Sequence, residues 1–234
     1  MKFGKATGRG ESADRRRYDD ACAAAHGMDL IGERWAMPVI RELLMGPRRF
    51  GDLKRSLNGI SANVLTQRLE GLEEAGILGK RKLPPPASVQ VYELTPWGYE
   101  AAPIFQALGR WAVRSPRHDP TRPFSPVSLM LSLRTMFRAQ AAGDRGGTIE
   151  LRMGEETFFW SLHAGEVKIG RGEAPNADVV ITGLPTAIAS IVYGGRAPED
   201  AIAAGDIAIS GDLELVRALP GFFPLPPPAS DRIC

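Results

Sequence analysis

Cysteine and histidine are scarce in this sequence, whose 234 residues include only two cysteines, Cys22 and Cys234, and three histidines. Two cysteines exclude a disulfide framework and a multi-cysteine metal site, and they favour a reducing, cytoplasmic setting. No metal site or histidine-based triad is apparent, and the G-x-S-x-G and P-loop motifs are lacking. We therefore predict a protein that is not an enzyme and that uses no cofactor and no metal.

Long apolar runs are also absent. No segment approaches the roughly 18–20 apolar residues of a membrane helix. The N-terminus is polar, with Lys2, Lys5 and Arg15–Arg17, and it lacks the apolar segment of a secretory signal. We expect no membrane partner, and the composition, 44% hydrophobic and 24% charged, is that of a globular protein.

Charge is divided unevenly along the chain. The residues through His118 include 19 Lys and Arg against 13 Asp and Glu, whereas the remaining residues include 10 against 14. This division indicates two domains, of which only the first suits a polyanion. A chance distribution of surface charge is the alternative.

Prolines at 116, 120, 123 and 126 mark the boundary between these domains. Proline disfavours helix at the preceding residue, so this segment reads as an extended, semi-rigid linker. The predicted organisation is a flexible basic N-terminus (1–17), a first domain (18–114), the linker (115–126), a second domain (127–223) and a proline-rich tail (224–234).

The first domain reads as mostly helical. Apolar spacing predicts four helices between residues 20 and 75, the fourth capped by Ser61, and then two short strands over 77–82 and 88–94. A single last helix follows Thr95 and Pro96. Helix, glycine turn, helix and β-hairpin in this order are typical of a winged helix-turn-helix.

The fourth helix has two chemically distinct faces, with Leu65, Leu69 and Leu72 on one and polar side chains on the other. Asn and Gln suit the edge of adenine, Arg suits guanine, and basic groups and helix N-termini suit phosphates. A solvated face without a partner is the alternative, and Arg68 lies at the border between the faces. The predicted DNA-binding residues are Arg48, Arg49, Lys54, Ser61, Asn63, Thr66, Gln67, Arg68, Lys80, Arg81 and Lys82.

Several stretches carry a family resemblance. They are Cys22, LIGERW (30–35), IRELLMGPRRFGDLKRSL (40–57), GISANVLTQRLEGLEEAGIL (59–78), VYELTPWG (91–98) and ALGRWA (107–112). In these stretches the chain resembles the HxlR-type transcriptional regulators, a branch of the winged-helix superfamily. The resemblance implies a homodimer that binds double-stranded DNA at an operator with inverted half-sites.

The same resemblance implies that the first and last helices of this domain form much of the dimer contact. The candidates are Ile104, Phe105, Leu108 and Trp111, and packing inside one subunit is the alternative. Similar regulators often carry a cysteine at the position of Cys22, and some use it to sense oxidants, which makes Cys22 a candidate redox residue. A small buried packing residue is the alternative.

The second domain reads as a helix over 127–143, then a strand meander, a helix pair, a strand and a closing helix, which is an α+β arrangement. Gly170 to Gly172 read as a hairpin turn. The strand ADVVITG (177–183) and the segment GDIAISGDLELVRAL (205–219) resemble the sterol carrier protein type two fold, which implies an apolar tunnel. The candidate lining residues are Leu133, Phe137, Phe158, Trp160, Ile188, Ile191 and Phe222.

A closed core is the alternative for that apolar set, because a core and a pocket have the same composition. We predict an α+β protein with an N-terminal winged helix-turn-helix, acting as a dimeric DNA-binding transcriptional regulator. Its second domain would strengthen dimerisation or sense a hydrophobic small-molecule effector. The alternative function is an apolar-ligand or lipid carrier whose winged helix only docks other proteins.

Overall fold

A computed structural model describes residues 18–143 and 145–229. The expected flexible N-terminus (1–17) and the last residues of the tail, 230–234, lie outside this part. The N-terminal half carries helices and one hairpin, in the order α1 (Ala23–Ile31), α2 (Ala36–Leu43), α3 (Phe50–Ser56), α4 (Ala62–Glu74), β1 (Leu78–Lys82), β2 (Gln90–Leu94), α5 (Pro96–Tyr99) and α6 (Ala102–Ala112).

Side-chain caps begin α4 and α5 where the sequence predicts. The Ser61 hydroxyl accepts a hydrogen bond from the Val64 amide at 3.2 Å, and Thr95 accepts one from the Gly98 amide at 3.0 Å. Gly59 makes the turn before α4 with φ of +86°, a conformation that suits glycine. Strands β1 and β2 pair antiparallel, from Leu78 opposite Leu94 to Lys82 opposite Gln90.

The predicted single last helix of this half is divided into α5 and α6. Pro103 has no backbone N–H, so it could not donate the hydrogen bond that a continuous helix requires at this position. In the first turn of α6, where it lies, the missing N–H costs little. The core of this half consists of the leucines of α4 packed with Val39, Ile40 and Leu43 of α2, all fully buried.

The C-terminal half combines a sheet with helices, which confirms the predicted α+β class. Its elements are α7 (Pro126–Met136), α8 (Ala139–Ala142), β3 (Gly147–Met153), β4 (Glu156–His163), β5 (Glu166–Arg171), β6 (Val179–Gly183), α9 (Pro185–Val192), α10 (Pro198–Ala203), β7 (Ile207–Gly211) and α11 (Leu213–Phe222). The strand order is β5-β4-β3-β6-β7, and β3 pairs parallel with β6 while the other neighbours are antiparallel.

Two predicted elements of this half are wrong. The helix expected over 127–143 is interrupted at Phe137 and Arg138, because the Arg138 amide bonds the Phe222 carbonyl at 3.0 Å and leaves helical geometry. The Gly170–Gly172 segment is not a hairpin turn. Gly170 lies within β5 opposite Phe159, whose ring occupies the space that a side chain at 170 would need.

The connecting segment is not a free extended linker. Pro126 begins α7, because the Ser125 hydroxyl accepts the Ser128 amide at 3.1 Å and caps that helix. Helix α7 is buried on almost all sides, since it contacts α2 and α6 as well as β4, β5 and α9. The proline-rich tail returns to the N-terminal half, where the Ala229 amide bonds the Arg114 carbonyl at 2.7 Å.

Candidate nucleic-acid interface

Helix α4 separates its buried and exposed side chains cleanly. Leu65, Leu69 and Leu72 are at most 2% exposed and hold the helix in the core. Asn63, Thr66 and Gln67 lie on the opposite, exposed face. These side chains offer amide and hydroxyl groups within about one helical turn, which is the chemistry that base edges in a major groove require.

The start of α4 adds a polar end to this face. Ser61 is exposed and caps the helix, and the first amides of any helix have no partners within it. Such an end attracts anions such as the phosphate groups of a nucleic acid. The sequence therefore predicted both the helix and the exposure of Ser61, Asn63, Thr66 and Gln67.

Basic side chains flank this face on two sides. Arg49 is exposed at the start of α3 and Lys54 is partly exposed further along it, while Lys82 is exposed at the end of β1. Lys80 binds Glu73 at 2.6 Å, and that hydrogen bond raises the pKa of Lys80. Arg81 pairs with Glu93 across the hairpin. Exposed ion pairs of this kind are weak, so both cations remain available to a stronger anionic partner.

Arg48 does not belong to this surface, and its predicted DNA contact is wrong. Its side chain is only 6% exposed, and both terminal nitrogens bond Glu156 of the C-terminal half, at 2.5 and 3.1 Å. One of them also donates to the Ser56 hydroxyl at 2.8 Å. A guanidinium that is buried and paired in this way is not available to the phosphates of a nucleic acid bound at α4.

Arg68 is turned away from the exposed face of α4. It donates to Glu33 at 2.9 Å and is 18% exposed, so it braces α4 against the segment between α1 and α2. The border position of Arg68 in the sequence left both orientations open, and the ion pair with Glu33 favours the bracing one.

A second surface of the N-terminal half is apolar. Ile104, Leu108 and Trp111 of α6 are 54%, 45% and 72% exposed, and Met28 of α1 is 52% exposed. No residue of α1 is buried within this chain. Phe105 departs from the prediction, because it packs inward against the core of the C-terminal half. Exposed apolar side chains of this kind are typical of a protein contact.

Cys22 is exposed and free, and it occupies the N-cap position of α1. The backbone amides of Ala25 and Ala24, at the start of α1, lower the pKa of its thiol. The alternative of a small buried packing residue is therefore wrong for Cys22.

The predicted apolar tunnel of the C-terminal half is closed. Trp160 is stacked on Phe222 and contacts Phe137 and Phe223 edge-on, with ring centroids 5.5–6.3 Å apart. A space of only about 10 Å³ remains between these rings and the neighbouring side chains, enough for at most one water molecule. Leu133, Phe158, Ile188 and Ile191 are buried in the same cluster, so the seven predicted lining residues fill a core.

Sequence reasoning missed the polar residues that join the two halves. Glu42 of α2 is fully buried, and its Oε1 accepts the Ser125 hydroxyl at 2.6 Å and the Arg41 guanidinium at 2.8 Å. Glu156 accepts from both Arg48 and Arg171. The available signal was Glu42 itself, a carboxylate inside the buried stripe of α2, which requires a partner from another element.

Within residues 18–143 and 145–229, no helix is both long enough and apolar enough to cross a bilayer. The same residues contain no cluster of three or more His, Cys, Asp and Glu side chains that could hold a metal ion.

Comparison with known proteins gives a separate family match for each half of the chain. Residues 30–119 match the HxlR-like helix-turn-helix family, and residues 138–224 match the SCP-2 sterol transfer family. The reduced form of the transcriptional regulator YodB from B. subtilis is 29% identical and superposes with a TM-score of 0.39, over 43% of this chain and 100% of that chain.

The sequence relatives are named as transcriptional regulators. The uncharacterized HTH-type transcriptional regulator YvaP of Bacillus subtilis is 35% identical over 86 residues, which are 36% of this chain and 79% of that protein. The uncharacterized HTH-type transcriptional regulator sll1512 of Synechocystis is 38% identical over 87 residues, which are 37% of this chain and 64% of that protein. YvaP is 35% identical and this chain covers 79% of it, and residues 30–119 match the family model. The chain therefore belongs to the HxlR-like helix-turn-helix family.

Proposed function

We propose that this protein is a transcriptional regulator that binds duplex DNA with α4 in the major groove. The observation that carries the proposal is the polar face of α4, where Asn63, Thr66 and Gln67 are exposed opposite three buried leucines. A surface helix held this firmly on one side presents its other side at a fixed angle. The relatives named as transcriptional regulators support the same reading.

The contacts divide by chemistry. Asn63 and Gln67 are the residues that suit paired hydrogen bonds to adenine, and Thr66 suits a thymine methyl or a base edge. Ser61 and the first amides of α4 suit a phosphate, as do Arg49 and Lys54. On the hairpin, Lys82 is exposed, and Lys80 and Arg81 would exchange their carboxylate partners for the DNA backbone. These basic groups set affinity, and the exposed face of α4 sets specificity.

The functional unit is proposed to be a homodimer. The exposed apolar side chains of α1 and α6 supply a surface that a second copy would cover. Trp111 is the most exposed of these side chains. A two-fold dimer presents two reading helices and therefore recognises an inverted repeat with half-sites about one helical turn apart. The C-terminal half then acts in regulation, and a binding role is favoured over a catalytic one. Cys22, exposed and with a lowered thiol pKa, is a candidate for reaction with oxidants.

The direct test is selection of a binding site from a random duplex library by the full chain. We expect enrichment of an inverted repeat, nanomolar affinity for it, and weaker affinity for a scrambled duplex at the same salt concentration. The affinity for both should fall steeply as salt rises. Failure to enrich any sequence, together with salt-insensitive binding, would refute the assignment and favour the carrier function.

Gln67→Ala tests whether the Gln67 side chain contacts a base. The substitution should weaken binding to the selected site by about 1–3 kcal/mol and leave binding to scrambled DNA unchanged, because a base contact is lost while phosphate contacts remain. Fluorescence anisotropy on both duplexes measures the two affinities. Gln140→Ala, at an exposed position of α8, is the matched control and should change neither. Equal loss on both duplexes would show that Gln67 does not read a base.

A further inference from the structure

A large groove lies between the two halves of the molecule. Its volume is about 830 Å³, within the range of sites that hold small organic ligands. One wall is formed by Trp35, α2 and α3, and the opposite wall by the tip of the β3–β4 hairpin, Arg171 and the start of α9. Residues 123–126 of the connecting segment complete it. This groove is separate from the closed aromatic core of the C-terminal half.

The charged groups of the groove are unevenly matched. Glu156 is a single carboxylate shared by two guanidiniums, those of Arg48 and Arg171. The Nε atom of Arg48 and the Nε and Nη2 atoms of Arg171 are buried and have no hydrogen-bond partner among the described residues. Of the other acidic groups that line the groove, Asp52 is paired with Arg55, and Glu155 is exposed at the hairpin tip.

Two guanidiniums that share one carboxylate leave one positive charge in excess, and an anion with two oxygens can pair with a guanidinium. The cluster of Arg48, Glu156 and Arg171 therefore favours a carboxylate, sulfonate or phosphate group over a neutral or cationic one. Arg171 also lies over the Phe158 ring, 4.6 Å from its centroid, which fixes the position of the guanidinium.

The groove also has an apolar part. Trp35, Pro38, Phe124 and Leu184 line it, and Leu184 is 65% exposed. Trp35 is held with φ of +78°, a strained conformation for a bulky side chain that the surrounding structure must enforce. These side chains suit the apolar body of a ligand, so an inorganic anion would leave most of the groove unfilled.

We propose that this groove binds a small organic anion, with its acidic group beside Arg48 and Arg171 and its apolar body against Trp35 and Leu184. Ser56, Leu57 and Asn58 also line the groove, and they form the end of α3 and the turn that leads into α4. A bound anion therefore touches both the C-terminal half and the segment that orients α4. Binding to the groove does not depend on whether α4 reads DNA, so the two proposals fail separately.

The test uses the full chain and two fluorescent probes that share one ring system. The first is 1-anilinonaphthalene-8-sulfonate, which is anionic, and the second is N-phenyl-1-naphthylamine, which lacks the sulfonate. Titration should give saturable binding of the sulfonate, at least tenfold tighter than binding of the neutral probe. Absence of saturable sulfonate binding, or equal affinity for both probes, would overturn the proposal.

Three variants assign any binding to the groove. Arg171→Gln removes one guanidinium and should weaken sulfonate binding about tenfold with little effect on the neutral probe. Leu184→Trp, at an exposed position, fills the apolar part and should weaken binding of the sulfonate severalfold without disturbing the fold. Arg217→Gln is the matched control, because Arg217 is a surface arginine of α11 that pairs with Glu199 of α10 and with Glu214 of its own helix, away from the groove.

The pattern across these variants decides the outcome. Wild-type affinity in both Arg171→Gln and Leu184→Trp would place the probe elsewhere and overturn the proposal. Circular dichroism of each variant checks that the fold is retained, and Leu184→Trp carries the decision if Arg171→Gln proves unstable. Loss of affinity in Arg217→Gln as well would indicate general electrostatic attraction, which also contradicts a defined site.

Discussion

Arginine residues of this protein take their roles from burial rather than from residue type. Arg49 is exposed and suits a phosphate, whereas Arg48, its neighbour in sequence, is 6% exposed and binds Glu156 of the other half. The backbone of Arg48 is held as well, because its amide and carbonyl bond the carbonyl and amide of Tyr92 at 2.9 and 2.8 Å. This bridge turns the two side chains in different directions.

Replacement of Glu156 should destabilise the protein, because it leaves the buried Arg48 guanidinium without its carboxylate partner. We expect Glu156→Gln to lower the free energy of unfolding by about 2–3 kcal/mol, because a desolvated guanidinium loses its counter-ion. Urea denaturation followed by circular dichroism measures the change. Glu155→Gln is the matched control, since Glu155 is the exposed adjacent carboxylate, and it should change stability by less than about 0.5 kcal/mol. Similar losses in both variants would contradict the role of the ion pair.

The same carboxylate makes stability depend on pH. Burial raises the pKa of Glu156, but hydrogen bonds from Arg48 and Arg171 outweigh burial, so the pKa lies below its ordinary value. A lowered pKa in the folded state adds stability above the unfolded-state value of about 4.3, and this contribution is lost as the pH falls through the folded-state value. Acidification from pH 6 to pH 3.5 should therefore destabilise the wild type more than Glu156→Gln.

At the scale of elements, the helices and strands whose ends are fixed locally could be predicted from the sequence. Ser61, Thr95 and Gly59 define their turns through their own backbone or side-chain chemistry. The break at Phe137 and Arg138 could not be predicted in this way, because it depends on a hydrogen bond to Phe222, more than 80 positions away in sequence. The inward orientation of Phe105 has a similar cause, since its partners belong to the C-terminal core.

Helix α6 carries Trp111, the most exposed side chain of the proposed dimer surface. Trp111→Glu should convert the proposed dimer to a monomer, because a carboxylate would be buried in an apolar contact. The fold should survive, since Trp111 is 72% exposed in the single chain. Light scattering at low micromolar concentration measures the mass. Ile202→Glu on α10, where Ile202 is 40% exposed, is the control and should keep the wild-type mass. An unchanged mass for Trp111→Glu would exclude this face from the dimer contact.

The whole molecule is more closely joined than its sequence suggests. In the sequence, a proline-rich segment between a basic and an acidic half predicts a spacer. The interface between the two halves is nevertheless formed by residues that belong to no recognisable motif. Leu44, Met45, Phe105 and Val113 of the N-terminal half pack on the C-terminal core, and Glu42 and Arg48 bond residues beyond position 120. The reading surface of α4 was predictable because its periodicity is local, whereas this interface depends on tertiary contacts.

Removal of everything after residue 117 therefore tests whether the N-terminal half is complete alone. The truncated chain would expose Phe105 and its apolar neighbours, and it should unfold at a lower urea concentration than the full chain and aggregate more readily.

Phe105→Gln shows whether these changes come from the lost interface or only from the shorter chain. The effect of this substitution on stability should differ in sign between the full chain and the truncated chain. In the full chain it should cost about 1–3 kcal/mol by placing an amide in an apolar contact. In the truncated chain it should reduce aggregation and leave stability unchanged or higher. Destabilisation of similar size in both contexts would mean that Phe105 packs within its own half, and that the two halves fold independently of each other.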